Sequence, residues 1–141
     1  MSTALLVLAV KTAISLKDGD FVSVDEKVCK VISYTWTEDY VNLQLLDVKT
    51  GVEFENGYNG SQELKTLKVT EKEFKIKGLK DDHFTLESDG KEKTDVKIPD
   101  DTFGRRIRDA VDVFPEVHIL VVTLDGKDYA TGYKTVGEAK P

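Results

Sequence analysis

The sequence predicts a mainly β protein of two small barrels in series, the second carrying the chain's one helix. Three observations predict it. Apolar and polar residues alternate with a period of two in Val28 to Ser33 and again in Tyr40 to Val48. Turn-forming groups such as Lys49-Thr50-Gly51, Ser88-Asp89-Gly90 and Asp125-Gly126 punctuate these short runs. Phe103, Ile107, Ala110, Val111 and Phe114 switch to helical spacing.

In order, Leu5 to Ile14 is an apolar run too short for a confident helix and reads as a strand, ended by the turn Lys17-Asp18-Gly19-Asp20. Phe21 to Val24 is a short strand. Val28 to Ser33 places Cys29, Val31 and Ser33 on one face and Val28, Lys30 and Ile32 on the other. Tyr40 to Val48 sets Val41, Leu43 and Leu45 against Asn42, Gln44 and Leu46. Tyr34 to Asp39 joins the two runs as a hairpin connection of ordinary length. Asn56-Gly57 and Asn59-Gly60 read as turns, because Asn-Gly favours positive φ. Five or so short strands with tight turns and no helix pattern suggest an SH3-like barrel over residues 1–68, with an extra N-terminal strand.

The second domain, residues 69–141, starts with alternation in Phe74 to Leu79 and continues with Phe84 to Glu87 and Lys93 to Ile98. Asp100 or Asp101 caps the helix after Pro99, and Pro115 stops it. Val117 to Leu124 is strongly β-branched, and Tyr129 to Val136 returns beside it. Three strands, a helix and two strands is the order of an OB-fold barrel.

The chain has 141 residues, 40% hydrophobic and 33% charged, a globular balance with a net charge of -6. Up to Lys68 there are 7 Lys+Arg against 10 Asp+Glu, and beyond it 13 against 16. Both parts are therefore net acidic, which disfavours wholesale nucleic-acid binding by a positive surface. The single cysteine, Cys29, excludes a disulfide framework and a thiolate zinc site, and fits a reducing, cytoplasmic setting. Met1 to Val10 lacks a charged leading region and is too short to cross a bilayer, so no membrane insertion is expected. Gly137 to Pro141 carries no peroxisomal or endoplasmic-reticulum address.

No catalytic set assembles. His83 sits in a turn and His118 at a strand start, neither with a nucleophile or ligand at useful spacing. Cys29, inside an apolar strand, reads as a small buried hydrophobe. Asp81-Asp82 and Asp100-Asp101 read as a solvated turn and a helix cap, not a metal site. No enzyme activity, cofactor or metal is expected. Arg105, Arg106 and Arg108 form the only basic cluster and point outward from the helix. They can meet phosphate, or pair with Asp109 and Asp112 along the helix. Trp36, the only tryptophan, stands beside Tyr34 and Tyr40 in the hairpin. It is either an anchor folded onto its own barrel or a partner contact.

Several segments stand in an order that carries a resemblance: Leu16-Lys17-Asp18-Gly19-Asp20-Phe21-Val22, Val28-Cys29-Lys30-Val31-Ile32, Leu46-Asp47-Val48-Lys49-Thr50-Gly51, Glu53-Phe54-Glu55, Pro99-Asp100-Asp101-Thr102-Phe103-Gly104, and Ile119 to Val122. From about Leu16 to Tyr133 the chain resembles eukaryotic translation initiation factor 5A and its archaeal relatives. In that family the hairpin tip carries a lysine modified to hypusine within a Gly-Lys-His-Gly-type motif that reaches the peptidyl-transferase centre. The matching segment here, Tyr34-Thr35-Trp36-Thr37-Glu38-Asp39, has no lysine, glycine or histidine and carries two acids; the nearest lysines are Lys30 and Lys49. The family's modification therefore transfers to no residue of this chain.

The loss is similar to that in the fungal Woronin body major protein, a lattice-forming relative, although the C-terminal peroxisomal tripeptide is absent here. That similarity implies a self-assembling structural protein, with the apolar residues Leu5, Leu6, Val7 and Leu8 adding to a neighbour's sheet edge. The alternative is a translation-type module that binds ribosome or RNA without hypusine. A third reading is a protein-interaction domain that uses Trp36.

Overall fold

A computed structural model describes residues 7–140. Leu5 and Leu6 lie outside the described residues. The chain divides into two compact units, with the break between Val69 and Thr70. Among the described residues each unit holds one antiparallel sheet and there is a single α-helix, so the mainly β class is as the sequence predicts.

The first sheet contains β1 (Val7–Thr12), β2 (Phe21–Val24), β3 (Lys27–Thr37), β4 (Tyr40–Asp47), β5 (Glu53–Asn59) and β6 (Glu63–Leu67). Their order is β1-β6-β2-β3-β4-β5. Val7 and Leu8 begin β1, which pairs along β6 of its own chain, with Lys11 opposite Leu64. β1 therefore pairs within its own chain along one edge and stands at the end of the sheet. The inward residues Val22, Cys29, Val31, Val41, Leu43 and Leu45 are fully or almost fully buried, as a period of two against a one-sided core requires.

Burial pushes the Cys29 thiol up to about 12, with the Asp47 carboxylate adding to the rise. Only the thiolate is reactive. A neutral-pH thiol reagent should therefore modify Cys29 no faster than the protein unfolds. Rapid labelling of the native protein would show the site to be open.

Two departures from the sequence reading have local causes. The alternation of β3 breaks between Val31 and Ser33: Val31 stands opposite Leu45 and Ser33 opposite Gln44, so Ile32 is an extra residue, a β-bulge. Beyond it the faces exchange, and Ser33 no longer shares the side of Cys29 and Val31. Asn56-Gly57 is no turn but the middle of β5. Gly57 fits there because the Tyr40 ring lies over it: an added Cβ would be 2.7 Å from Tyr40 Cε1 and Cζ, and closer still to the hydroxyl.

The second sheet contains β7 (Lys72–Lys80), β8 (His83–Ser88), β9 (Lys91–Lys93), β10 (Glu116–Leu124) and β11 (Lys127–Val136), in the order β11-β10-β7-β8-β9. Asp89-Gly90 (φ 53° and 76°) and Asp125-Gly126 (φ 52° and 78°) close two hairpins with positive φ at both turn residues, the combination that matches strand twist. The return predicted over Lys93 to Ile98 is interrupted after Lys93. It resumes when the Phe84 N–H donates to the Val96 carbonyl (3.0 Å) and the Ile98 N–H to that of Asp82 (2.7 Å). The two end strands of this sheet meet through an ion pair between Lys93 and Asp128, and Asp128 also accepts from the Thr123 hydroxyl.

Helix α1 (Thr102–Val113) buries Phe103, Ile107 and Ala110 of the predicted apolar stripe, while Val111 and Phe114 are half-buried. Asp101 is its cap, accepting from the Thr102 N–H at 2.8 Å. Pro115 forces Phe114 into extended backbone (ψ 147°), and the helix ends there.

Candidate functional site

The β3–β4 hairpin is longer and tighter than the sequence suggests. Strand pairing runs as far as Thr37 opposite Tyr40, leaving Glu38 and Asp39 as a two-residue turn. Glu38 takes φ 53°, a conformation usually given to Gly or Asn. The Gly60 N–H donates to the Asp39 carbonyl at 2.5 Å and pins the turn to the β5–β6 connection.

Directly opposed residues in an antiparallel pair share a face. Trp36 opposes Val41, which in turn opposes Tyr58; Tyr34 opposes Leu43, which opposes Asn56. Both aromatics thus continue the face of the buried core. Tyr34 is nevertheless 40% and Trp36 57% exposed, while Leu43 and Val41 are buried. Tyr40, grouped with them in the sequence, lies on the other face beside Thr37 and Asn59, its ring over Gly57. The two-residue turn, which sets Thr37 against Tyr40, makes this division, and the bulge at Ile32 is what carries Tyr34 and Trp36 onto the side of Val31. Gly57→Ala should push the exposed Tyr40 ring aside and change stability by under about 1 kcal/mol, because the obstacle is the end of a movable side chain. Weaker ring-current shifts at position 57 in NMR spectra, with an unchanged melting temperature, are the expected result.

The arginine cluster sits in the second unit. Arg105, Arg106 and Arg108 are all exposed on α1, as expected. Arg106 lies over the Phe103 ring, 6.0 Å from its centre. Arg108 Nη2 donates to the Asp81 carbonyl at 3.3 Å, a partner outside its own helix. Asp82 engages His83 Nδ1 at 2.7 Å, and Asp100 engages Lys97 at 3.2 Å. The acidic pairs therefore serve a turn and a cap. Among the described residues no group of three or more potential ligands could hold a metal ion, and no helix is long and apolar enough to cross a membrane.

Sequence reasoning missed a charged network on the second sheet. His118 of β10 stands opposite Lys75 of β7 and Lys134 of β11. Its Nδ1 is 2.9 Å from Glu73 Oε2 and its Nε2 is 2.6 Å from Glu116 Oε2. Lys134 donates to Glu73 at 2.9 Å, and Lys75 lies 3.3 Å from Glu116. The Lys134 hydrogen bond, helped by His118, holds Glu73 below the usual carboxylate value; His118 and then Lys75 do the same for Glu116. A depressed carboxylate contributes stability above its unfolded pKa and loses it as pH falls through the folded one. Carboxyl NMR titration should therefore place both midpoints below 4.5. Lys134→Ala should raise that of Glu73; an unmoved midpoint would show that the network is not formed in solution.

No family model matches the chain. In sequence it is similar to eukaryotic translation initiation factor 5A-1 of Saccharomyces cerevisiae, 22% identical over 127 residues, covering 85% of this chain and 81% of that protein. It is likewise similar to eukaryotic translation initiation factor 5A of Dictyostelium discoideum, 23% identical over 127 residues, covering 85% of this chain and 80% of that protein. Among solved structures, a translation initiation factor 5A family protein from Naegleria fowleri matches with a TM-score of 0.49 at 22% identity, over 89% of this chain and 97% of the other. The sequence homologues of this chain are thus eukaryotic translation initiation factor 5A proteins, translation factors rather than enzymes.

Proposed function

We propose that the chain is a cytoplasmic factor 5A-like module that docks on the ribosome or its RNA without a modified lysine. One observation carries the reading: the sequence likeness to two translation factors spans 85% of the chain. In this reading Tyr34, Trp36 and Tyr40 form the contact surface of the hairpin, and Arg105, Arg106 and Arg108 engage phosphates from a chain that is otherwise net acidic. The competing reading is self-assembly through the N-terminal strand; the two sequence relatives are translation factors, which favours the ribosome reading.

Co-sedimentation with ribosomes at low and moderate salt tests the proposal. Binding at low salt that weakens as salt rises is expected. Replacing the three arginines by alanine should flatten the salt dependence by about 0.9 in logarithmic slope for each phosphate no longer neutralised. Failure to pellet with ribosomes even at low salt would rule the reading out.

A further inference from the structure

Among the described residues, the distal half of β3 has a strand on one side only. Up to Val31 its outer edge is occupied: the Val31 N–H donates to the Asp20 carbonyl and the Gly19 N–H to that of Val31, both at 2.8 Å. The chain around Asp20 then turns away, its N–H bonded back to the Lys17 carbonyl. From Ser33 to Thr37 only β4 is paired. A two-residue turn makes Thr37 and Tyr40 the pair that exchanges ladder hydrogen bonds, so alternation sends the N–H and C=O of Trp36 and Tyr34 to the open edge. The occupied edge at Val31, followed by the extra residue Ile32, gives the same phase from the other end. The exposure of Tyr34 and Trp36, next to buried Leu43 and Val41, has this same cause.

Proteins commonly blunt open edges with charge or proline. The end strands of the two sheets follow that rule: β1 carries Lys11, β5 carries Glu53 and Glu55, β9 reads Lys91-Glu92-Lys93, and β11 carries Lys127, Asp128 and Lys134. Ser33-Tyr34-Thr35-Trp36-Thr37 has neither charge nor proline and consists mostly of β-branched and aromatic residues. The five residues span about 17 Å, room for a short added strand. Glu38 and Asp39 stand at the end of this edge, in a part of the chain that is itself net acidic.

We infer that the open edge of β3, from Ser33 to Thr37, accepts an extended, lysine- or arginine-bearing segment of a partner protein as an added strand. Tyr34 and Trp36 supply backbone hydrogen bonds and cover the segment's apolar side chains, while Glu38 and Asp39 attract its basic ones. The carboxylates disfavour nucleic acid at this place. The inference goes beyond the ribosome reading and does not depend on it, since it rests on the open edge of β3 and the residues of the hairpin itself.

The test uses the whole chain and a ten-residue peptide of alternating lysine and valine, read by amide hydrogen exchange and by the emission of Trp36, the only tryptophan. The peptide should change Trp36 emission saturably and slow exchange at the Tyr34 and Trp36 amides at least tenfold. Thr35, whose amide already faces β4, should not change. An alternating glutamate and valine peptide should bind at least tenfold more weakly, and Glu38→Lys with Asp39→Lys should weaken the basic peptide comparably. Unchanged or uniformly slowed exchange would overturn the inference. So would a sedimenting dimer that excludes the peptide, which would assign the edge to a second copy, or displacement of the peptide by a ten-residue oligouridine. Ribosome co-sedimentation of the Glu38→Lys, Asp39→Lys variant keeps failure here distinct from failure of the ribosome reading.

Discussion

Gly104→Ala should cost the second unit about 3 kcal/mol or more, although the same change inside a helix ordinarily stabilises by about 0.5–1 kcal/mol. The reason lies in the first turn of α1. A Cβ at position 104 would land on the Pro99 carbonyl oxygen, 2.7 Å from the carbonyl carbon. That obstacle is backbone, and Phe103 and Ile107 on either side of Gly104 are buried, so the helix cannot move away without opening its packed face. Thermal unfolding of the variant beside Arg105→Ala, a neighbouring exposed position, separates the clash from general helix effects. A melting temperature equal to or above that of the wild type would overturn the expectation.

Leu43→Ala should cost the first unit about 2–5 kcal/mol, the range for removing a buried leucine side chain and leaving a cavity. Leu43 is completely buried, in the same cluster as Val31, Val41 and Leu45. It also lies between Tyr34 and Asn56 across the sheet. Removing its methyl groups therefore takes support from beneath the exposed aromatic face as well as from the core. Urea unfolding should show a lower midpoint, whereas Val52→Ala, at an exposed site, should stay within about 0.5 kcal/mol of wild type. A small effect at Leu43 would mean that the neighbouring side chains collapse into the space.

Much of the fold was legible because its signals are local. The alternation at Val41, Leu43 and Leu45, the Asp-Gly turns and the stripe Phe103, Ile107 and Ala110 each report the immediate chain. The hairpin was read only in part. Its turn uses Glu38 at positive φ, with no Gly or Asn to announce it, so Tyr34 to Asp39 looked like a loop. The bulge leaves no compositional trace, so the sequence placed Ser33 with Val31, and the unannounced two-residue turn left Tyr40 grouped with Trp36. The pairing of His118 with Glu73 depends on the register of β10 against β7, 45 residues apart in the chain, which no local pattern encodes. Arg108 finds Asp81 for the same kind of reason, across 27 residues.

The extra residue at Ile32 makes the sidedness of the hairpin a question of counting. Pairing the same residues without the bulge would carry Tyr34 and Trp36 to the face now held by Ser33, Thr35 and Thr37, whereas deleting Ile32 would leave them where they are, because Val31 opposite Leu45 and Ser33 opposite Gln44 would then be consecutive pairs. In such a hairpin the presented surface is held by the register with β4, so a codon lost at the bulge straightens the strand without exchanging its faces, and chain length there is free to vary while partner choice is kept.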